Sequence, residues 1–403
     1  MEQFLFPHNF LWGAATSSHQ VEGDTTNDWT KWERAHAPRL AENARLKSYP
    51  NFILQGYPNP LLEENYISGL GADHYHRFRE DFDIARALGH NAHRFSIEWS
   101  RIEPEKGRFD EAAIAHYREV ITALRARGME PVVTLWHWTL PQWVADAGGW
   151  DSEDTAGYLR RYCERVVEEY KDEVRLWVIL NEPQYWVVHA YVKGVFPPAE
   201  RNIVHALTAF LHLTEVHKSV YARLKSLYPD LQFGAVESMG WIEPAVCRWM
   251  LQWFRNFAFP FLVRRHIDFM GVNYYRSRRI GKKDASGPHA SDMGWDIEPQ
   301  GLGRVLKSAA RWIRKPLYIT ENGLADARDE KRAEFIRAHI AEMLKAKKEG
   351  IDIRGYFHWS LLDNFEWDSG FWPRFGLVEV DYKTLERKIR RSAWEYKRII
   401  DSI

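Results

Sequence analysis

Short apolar runs alternate along the chain with longer segments in which apolar residues recur at helical spacing. A short apolar run is typical of a buried strand, and apolar residues at every third or fourth position predict a helix with one buried face. The pattern predicts eight strand–helix pairs. The predicted strands span residues 10–16, 92–97, 131–136, 176–180, 233–236, 269–272, 316–320 and 353–357, and the helices span 74–88, 111–127, 155–171, 203–227, 246–264, 302–313, 332–348 and 389–400.

Strands that alternate with helices favour a parallel sheet covered by helices. Eight such units predict a closed (β/α)8 TIM barrel of the α/β class, and we expect residues 1–403 to form this single domain. An open, doubly wound sheet is the competing architecture, but the Gly-x-Gly-x-x-Gly turn typical of it is absent from the sequence. Residues 24–69 show little periodicity and are predicted to be a long excursion from the barrel.

The composition narrows the choice of ligand. The chain has 55 Lys and Arg against 55 Asp and Glu, so no global field attracts nucleic acid or an anionic membrane. Aromatic residues make up 14% of the chain and include 19 Trp. Indole rings pack cores, but they also stack on the C–H faces of ring-shaped ligands. Composition alone leaves both uses open.

The sequence gives no sign of a metal, disulfide or membrane site. Cys163 and Cys247, the two cysteines, have neither pair spacing nor metal-ligand spacing. The motifs His-Glu-x-x-His and Cys-x-x-Cys are absent, so we expect no catalytic metal and no cofactor. The first residues lack the basic and apolar regions of a signal peptide, and no uncharged span of ~18 residues occurs. A soluble, cytoplasmic protein is therefore expected.

Polar residues directly follow most of the predicted strands. In a (β/α)8 barrel these positions converge on the C-terminal mouth, where barrel enzymes carry their active sites. The set has carboxylates, amides and indoles but no lysine, so it suits neither a Schiff base nor a phosphate. A neutral, polyhydroxylated ligand suits it better, because amides and carboxylates can bracket vicinal hydroxyls. The set comprises His19, Gln20, Arg94, Glu98, His137, Trp138, Asn181, Glu182, Asn273, Tyr274, Tyr275, Glu321, Asn322, His358, Trp359, Glu366 and Trp367.

Two of these carboxylates are candidates for the chemistry. Glu182 follows the fourth strand and Glu321 follows the seventh, and these strands lie roughly opposite each other across an eight-stranded barrel. Glycoside hydrolysis with retention needs two carboxyl groups about 5–5.5 Å apart, one as nucleophile and one as acid and then base. Either residue alone could instead form a salt bridge with a neighbouring Arg. The pairing across the barrel makes the catalytic interpretation the stronger one.

The ordered motifs resemble glycoside hydrolase family 1, the retaining β-glycosidases, over nearly the whole chain. The resemblance is carried by residues 10–20 (FLWGAATSSHQ), 94–101 (RFSIEWSR), 134–138 (TLWHW), 140–141 (LP), 181–183 (NEP), 271–275 (GVNYY), 319–323 (ITENG) and 359–367 (WSLLDNFEW).

The resemblance implies a role for each residue near the reacting bond. Glu321 is expected to be the nucleophile that forms a covalent glycosyl-enzyme, and Glu182 the acid that protonates the leaving oxygen and then the base that activates water. An ionised Glu321 should raise the pKa of Glu182 until glycosylation neutralises it. Arg94 and Tyr275 are expected to hold Glu321 ionised and oriented. Asn181 is expected to bind the 2-hydroxyl of the sugar.

The resemblance also implies a pocket for the sugar ring. Its expected members are Gln20, His137, Trp138, Asn273, Trp359, Glu366, Trp367 and Phe375. Glu366 would repel the phosphate of a 6-phosphosugar. The intact Glu182 disfavours a thioglucosidase, in which glutamine replaces the acid/base residue. An unphosphorylated O-glycoside is therefore the expected substrate.

One segment departs from the family pattern. Residues 237–268 form a shorter excursion than in most members, and residues 241–261 are rich in aromatic side chains. Trp249, Trp253 and Phe257 recur at every fourth position, which predicts an aromatic stripe on a helix. Three interpretations stay open, namely packing on the barrel wall, a platform for an apolar leaving group, and a dimer or lipid contact. Charged residues in the segment exclude a membrane span.

The expected function is hydrolysis of terminal non-reducing β-D-glucosyl residues, with β-D-galactosyl and β-D-fucosyl residues as close candidates. A transglycosylase would use the same intermediate and deliver it to a sugar, and the sequence does not separate the two. A non-catalytic glycan-binding protein is the alternative from another class, and the presence of both glutamates argues against it. The expected partner is a small β-glycoside and not nucleic acid, and a homo-oligomer stays open.

Overall fold

A closed barrel of eight parallel strands forms the centre of the computed structural model, which describes residues 9–243, 248–279 and 289–402. Each strand pairs with the next in sequence, and the eighth pairs with the first. The predicted (β/α)8 barrel is confirmed. The strands are β1 (Leu11–Ala15), β2 (Ala92–Ser96), β3 (Glu130–Trp136), β4 (Leu176–Asn181), β5 (Gln232–Ser238), β6 (Phe269–Asn273), β7 (Leu317–Asn322) and β8 (Ile353–Trp359).

Amphipathic helices surround the barrel. The longest is capped by Asn202, whose side chain accepts the backbone N–H groups of Val204 and His205, as expected for an N-cap. Two helices have the predicted bounds, 203–227 and 332–348. The helices are α1 (Asp28–Ala44), α2 (His74–Ala87), α3 (Glu111–Ala126), α4 (Asp154–Tyr170), α5 (Pro183–Val187), α6 (Ile203–Leu227), α7 (Arg248–Val263), α8 (Pro299–Ile313), α9 (Arg332–Lys348) and α10 (Arg391–Asp401).

The excursion at residues 24–69 contains α1, a helix that was not predicted from the sequence. Asn27 caps it, because its side chain accepts the Thr30 N–H at 2.9 Å and the Thr30 hydroxyl accepts the Asn27 N–H at 3.2 Å. Trp29 and Trp32 anchor its first turns in the core. A proline within the helix, Pro38, obscured the periodicity. The Asn27 side chain also donates to Glu98 at the barrel mouth, so the excursion borders the candidate site.

Two apolar clusters fill the two layers of the barrel. A large cluster lies between strands and helices, and a smaller one that includes Val132, Val178, Val236 and Phe357 fills the barrel interior. Above the interior cluster the strands end in polar residues. The register pairs Asn273 of β6 with Glu321 of β7. Side chains distant in sequence are therefore brought to one level at the mouth.

None of the helices in the described ranges is long and apolar enough to cross a membrane. Cys163 is buried within α4 and unpaired. Cys247 lies outside the described residues.

Candidate active site

Glu321 lies at the end of β7 with 4% of its surface exposed. The Arg94 guanidinium donates to its Oε1 at 2.6 Å, and the Tyr275 hydroxyl donates to its Oε2 at 2.6 Å. Arg94 comes from β2 and Tyr275 follows β6, so two different walls of the barrel orient the carboxylate. Charge-assisted hydrogen bonds of this length are the strong ones. Arg94 and Tyr275, the two residues expected beside Glu321, therefore both contact its carboxylate.

Asn322 and Gly323, which follow Glu321, fix the position of the end of β7. The Asn322 side chain donates to the backbone oxygen of Tyr274 at 2.6 Å and accepts the Tyr356 hydroxyl at 2.8 Å, which ties β7 to both neighbouring strands. A Cβ at Gly323 would lie 1.9 Å from the Trp359 oxygen. Only glycine fits this approach. The Glu-Asn-Gly sequence therefore fixes the position of the carboxylate as well as supplying it.

Glu182 follows β4 at the first helical turn of α5, with 4% of its surface exposed. Its backbone adopts a left-handed φ of 45°, and Asn273 donates to its Oε1 at 2.7 Å. Burial, and then the charges of Glu321 and Glu237, raise the pKa of Glu182 well above its usual value, against the opposing effects of Asn273 and Arg94. The neutral, proton-carrying form is therefore favoured at Glu182.

A buried chain of polar contacts links Arg94 to His137. Arg94 donates to the Asn181 Oδ1 at 2.6 Å, and the Asn181 amide nitrogen lies 3.1 Å from the His137 Nε2. Burial and the Arg94 charge lower the pKa of His137 well below its usual value, so the imidazole is neutral. Since Nε2 accepts from the amide, the ring proton lies on Nδ1. That nitrogen is buried and has no protein partner within the described residues.

Indole rings gather around the His137 ring. The ring centroids of Trp138, Trp359 and Trp367 lie 5.6, 6.2 and 6.0 Å from its centroid. The Trp138 indole donates to the backbone oxygen of Asn181 at 3.0 Å, which fixes its orientation. Aromatic faces beside polar groups suit a ring with polar edges and C–H faces, as expected for the sugar pocket.

Gln20 and Glu366 lie together on one side of this pocket. The Gln20 Oε1 accepts the Ser17 hydroxyl at 2.6 Å, and its Nε2 donates to the Phe365 backbone oxygen at 2.8 Å and lies 3.5 Å from the Glu366 carboxylate. Burial first, and then the charges of Glu321 and Asp368, raise the pKa of Glu366 to about 8. A protonated Glu366 carboxyl can both donate a hydrogen bond to a hydroxyl and accept one from it.

The structure adds three residues that the sequence analysis did not select. Trp295 lies beyond any predicted strand, with its ring centroid 5.9 Å from Tyr275 and 6.1 Å from Phe375. Tyr185 stacks on Trp138 at 5.7 Å between centroids. Glu237 lies near the end of β5. The predicted fifth strand stopped at residue 236, so the rule of searching strand ends could have found Glu237. No comparable signal pointed to Trp295.

The described part of the aromatic stripe packs on the barrel wall. Phe257 lies in the large core cluster, and Trp253 packs against this cluster with its ring 5.6 Å from that of Phe261. The Trp249 side chain lies outside the described residues. The exposed positions of α7 are instead Met250, Leu251, Phe254 and Leu262.

One group of possible metal ligands occurs within the described residues. Ligand atoms of Asp151, Glu200 and His205 lie within 4.8 Å of one another. The His205 Nδ1 lies 2.6 Å from the Glu200 carboxylate, so these groups pair with each other. His205 belongs to α6 and not to a strand end. That the site works without a metal stays a prediction.

Comparison with known proteins gives consistent matches over the chain. The family model described as Glycosyl hydrolase family 1 matches residues 2–249 and 260–402. Beta-glucosidase A of Thermotoga maritima is 32% identical, over 98% of this chain and 97% of its own. The 1,4-beta-D-glucan glucohydrolase of Thermotoga neapolitana is 31% identical, over 98% of both chains. The unmatched residues 250–259 lie in the aromatic segment that departs from the family pattern.

Solved structures match equally well. A beta-glycosidase from Pyrococcus horikoshii superposes with a TM-score of 0.86 and 36% identity, over 98% of this chain and 95% of its own. A beta-glucosidase from Thermotoga maritima in complex with deoxynojirimycin gives a TM-score of 0.87 at 30% identity, over 98% of both chains.

The electrostatic coupling of the two carboxyl groups can be tested directly. In a Glu321→Gln variant we expect the pKa of Glu182 to fall, because the neutral amide no longer repels the Glu182 carboxylate. The pKa would be followed by 13C NMR of carboxyl-labelled glutamate. Glu119→Gln, on the exposed face of α3, is the matched control and should leave the Glu182 titration unchanged. An unchanged Glu182 pKa in Glu321→Gln would show that burial and the charge of Glu237 raise it without a contribution from Glu321.

Proposed function

Because the chain belongs to glycosyl hydrolase family 1 and is an O-glycosyl hydrolase of the β-glucosidase type, we propose that it removes terminal non-reducing β-D-glucosyl residues by double displacement. The observation that carries this proposal is the pair of buried carboxyls in unlike environments. Arg94 and Tyr275 donate to Glu321, whereas burial and the Glu321 charge favour the protonated form of Glu182. A nucleophile and a proton donor need this asymmetry.

In the first step a Glu321 carboxylate oxygen attacks the anomeric carbon while Glu182 gives its proton to the departing glycosidic oxygen. The C–O bond to the leaving group breaks as the bond to Glu321 forms. The Glu321 charge is then lost, so the pKa of Glu182 falls and its carboxylate can take a proton from water. In the second step this water attacks the same carbon and releases Glu321. Two inversions give a product with the β configuration of the substrate.

The groups around the pocket support an unphosphorylated glycone. Gln20, His137 and Glu366 supply donors and acceptors for hydroxyls. Asn181 is proposed to bind the 2-hydroxyl and Asn273 to orient Glu182. Trp359, Trp367 and Trp138 would cover the ring faces, with Phe375 behind Tyr275. A Thermotoga maritima beta-glucosidase was solved with galacto-hydroximolactam, so galactosides stay among the candidates, together with fucosides.

Residues 1–403 are proposed to form one catalytic domain that works without a cofactor. A cytoplasmic location fits two cysteines without pair spacing, since oxidising compartments favour paired cysteines.

A separate surface supports self-association. Helices α5, α6 and α7 and the short π-helix Val188–Val192 pack side by side, and exposed apolar side chains occur on the π-helix, the first half of α6 and α7. The exposed side chains include Ile203 at 72% and Phe254 at 60%. Among the described residues, the apolar face comprises Val188, Val192, Ile203, Val204, Leu207, Leu211, Met250, Leu251, Phe254 and Leu262.

We infer that a second copy of this chain covers that face. Its exposed apolar area is on the order of 1,000 Å², above the roughly 300–600 Å² of the largest patch on a typical monomer. It is close to the about 800 Å² that each partner buries in a standard interface. A lipid-binding helix carries Lys or Arg beside its apolar stripe. Residues 203–217 of α6 contain neither, although α7 contains Arg248 and Arg255. A twofold dimer would bring the two faces together.

Replacing the proposed nucleophile tests the mechanism. Glu321→Ala should abolish turnover of 4-nitrophenyl β-D-glucoside, because no group then attacks the anomeric carbon, while circular dichroism should stay unchanged. Glu334→Ala, on the exposed face of α9, should retain the wild-type rate. For the wild-type enzyme, 1H NMR should detect the β-sugar as the first product. An unaltered rate in Glu321→Ala, or an α-sugar as the first product, would contradict double displacement.

A substrate panel tests the glycone. Among 4-nitrophenyl β-glycosides we expect the highest kcat/KM for the glucoside, with the galactoside and fucoside next. The 6-phosphoglucoside should be turned over poorly, because Glu366 offers its phosphate no positive charge and repels it once the carboxyl is ionised, above a pKa of about 8. Butanol added to the assay tests transfer of the glycosyl group to an acceptor other than water. The amount of butyl glucoside among the products measures this transfer. A preference for the 6-phosphoglucoside would overturn the assignment of Glu366.

Sedimentation velocity tests the proposed dimer. Wild-type protein should sediment as a dimer, and Leu207→Glu/Leu211→Glu should sediment as a monomer, because buried unpaired charges are costly. Leu46→Glu, on an exposed residue outside this face, should remain dimeric. A monomeric wild-type protein would refute the inference. So would wild-type protein that floats with neutral phospholipid vesicles when the Leu207→Glu/Leu211→Glu variant does not.

A further inference from the structure

Glu237 is a buried carboxyl group beside the proposed proton donor. It lies near the end of β5, with 1% of its surface exposed. Its Oε1 accepts the Ser238 N–H at 3.0 Å, and its Oε2 accepts the Gln184 N–H at 3.2 Å. The Tyr185 N–H adds a further hydrogen bond. Gln184 and Tyr185 form the first turn of α5, which starts immediately after Glu182.

The first turn of α5 lacks the cap that a helix usually carries. An N-cap side chain normally accepts the N–H groups of the second and third helical residues. Glu182 occupies the N-cap, but its side chain makes no such bond and instead accepts from Asn273. Pro183, the first helical residue, has no N–H to satisfy. The uncapped donors are therefore those of Gln184 and Tyr185, the two that Glu237 accepts.

We propose that Glu237 is a positioning residue for the proton donor: its carboxyl group caps α5 in place of Glu182, which leaves the Glu182 side chain free to face the substrate. This inference rests on the proposed function of Glu182. A backbone hydrogen bond also connects Glu182 to β5. The Glu182 N–H donates to the oxygen of Val236, the neighbour of Glu237, at 2.8 Å. Strand β5 therefore holds the backbone on both sides of the Glu182 side chain.

A second anchor fixes the same turn from outside the barrel. The Gln184 side chain accepts the Phe259 N–H at 3.1 Å and donates to the Arg255 backbone oxygen at 3.0 Å, both in α7. Glu237 and Gln184 thus hold the turn between β5 and α7. A movement of this turn would carry Glu182 with it.

Several charged groups act on Glu182 and Glu237. Glu182 faces Glu321 of β7, Arg94 of β2 and Glu237 of β5. Arg255 of α7 acts on Glu237, and burial raises the pKa of Glu237 to about 8. As pH rises through this range Glu237 gains negative charge, which opposes loss of the Glu182 proton. The charge of Glu237 therefore extends the protonated form of Glu182 to higher pH.

Two substitutions separate positioning from simple bracing of the fold. Glu237→Leu keeps the approximate volume but removes both acceptors, and Glu237→Gln keeps one acceptor oxygen and removes the charge. General acid catalysis contributes about 10²–10⁴-fold. In Glu237→Leu we expect kcat/KM for phenyl β-D-glucoside, which needs a proton on its leaving group, to fall about 10²-fold. The loss for 2,4-dinitrophenyl β-D-glucoside, whose leaving group departs without a proton, should be small.

The pH profile of Glu237→Gln supplies the second readout. It should keep most of the activity on phenyl β-D-glucoside, while the alkaline limb of its kcat/KM profile moves to lower pH. Asp268→Asn is the matched control, because Asp268 accepts the Phe233 N–H at the other end of β5. We expect this variant to change neither the substrate ratio nor the alkaline limb.

Equal losses on both glucosides in Glu237→Leu would overturn the positioning role. An unmoved alkaline limb in Glu237→Gln would overturn the effect of the Glu237 charge on the Glu182 proton. Failure of the proposed function would look different, because wild-type protein would then turn over neither glucoside.

Discussion

The burial of three carboxyl groups at the mouth of the barrel is the constraint on which the site depends. Glu182, Glu237 and Glu321 are each almost wholly removed from solvent, and a buried charge is costly unless it is paired or hydrogen-bonded. Glu321 accepts hydrogen bonds from Arg94 and Tyr275, and Glu237 accepts hydrogen bonds from backbone N–H groups. Glu182 receives a neutral amide donor. The distribution of donors therefore assigns the charge to Glu321 and the proton to Glu182.

These donors meet only because the barrel is closed. Arg94 belongs to β2, Asn273 to β6 and Glu321 to β7, and the parallel register brings them to one level at the carboxyl ends of the strands. The close approach of β8 at Gly323 completes the frame. A fault in strand pairing would leave a buried charge without its donor, so the fold and the proposed chemistry are stabilised by the same contacts.

The side of the barrel next to Glu182 differs from the rest. Helices α5 to α7 carry the anchors of the proposed proton donor on their inner faces and the exposed apolar surface on their outer faces. The match to the family model is interrupted there, at residues 250–259. Strand ends around the sugar pocket lie within the matched ranges. The unmatched residues therefore lie in α7 and not at the strand ends around the candidate sugar pocket.

The sequence by itself determined the eight-stranded barrel, because strand and helix periods are local properties, and it identified the residues that directly follow strands. It missed α1, where Pro38 interrupts the period, and Trp295, which reaches Tyr275 from a loop. Only the tertiary structure decided how Glu237 caps α5. It also decided that the described part of the aromatic stripe packs on the barrel wall while other faces of α6 and α7 stay exposed. Donor distances and burial depend on strands far apart in sequence, and no local pattern encodes them.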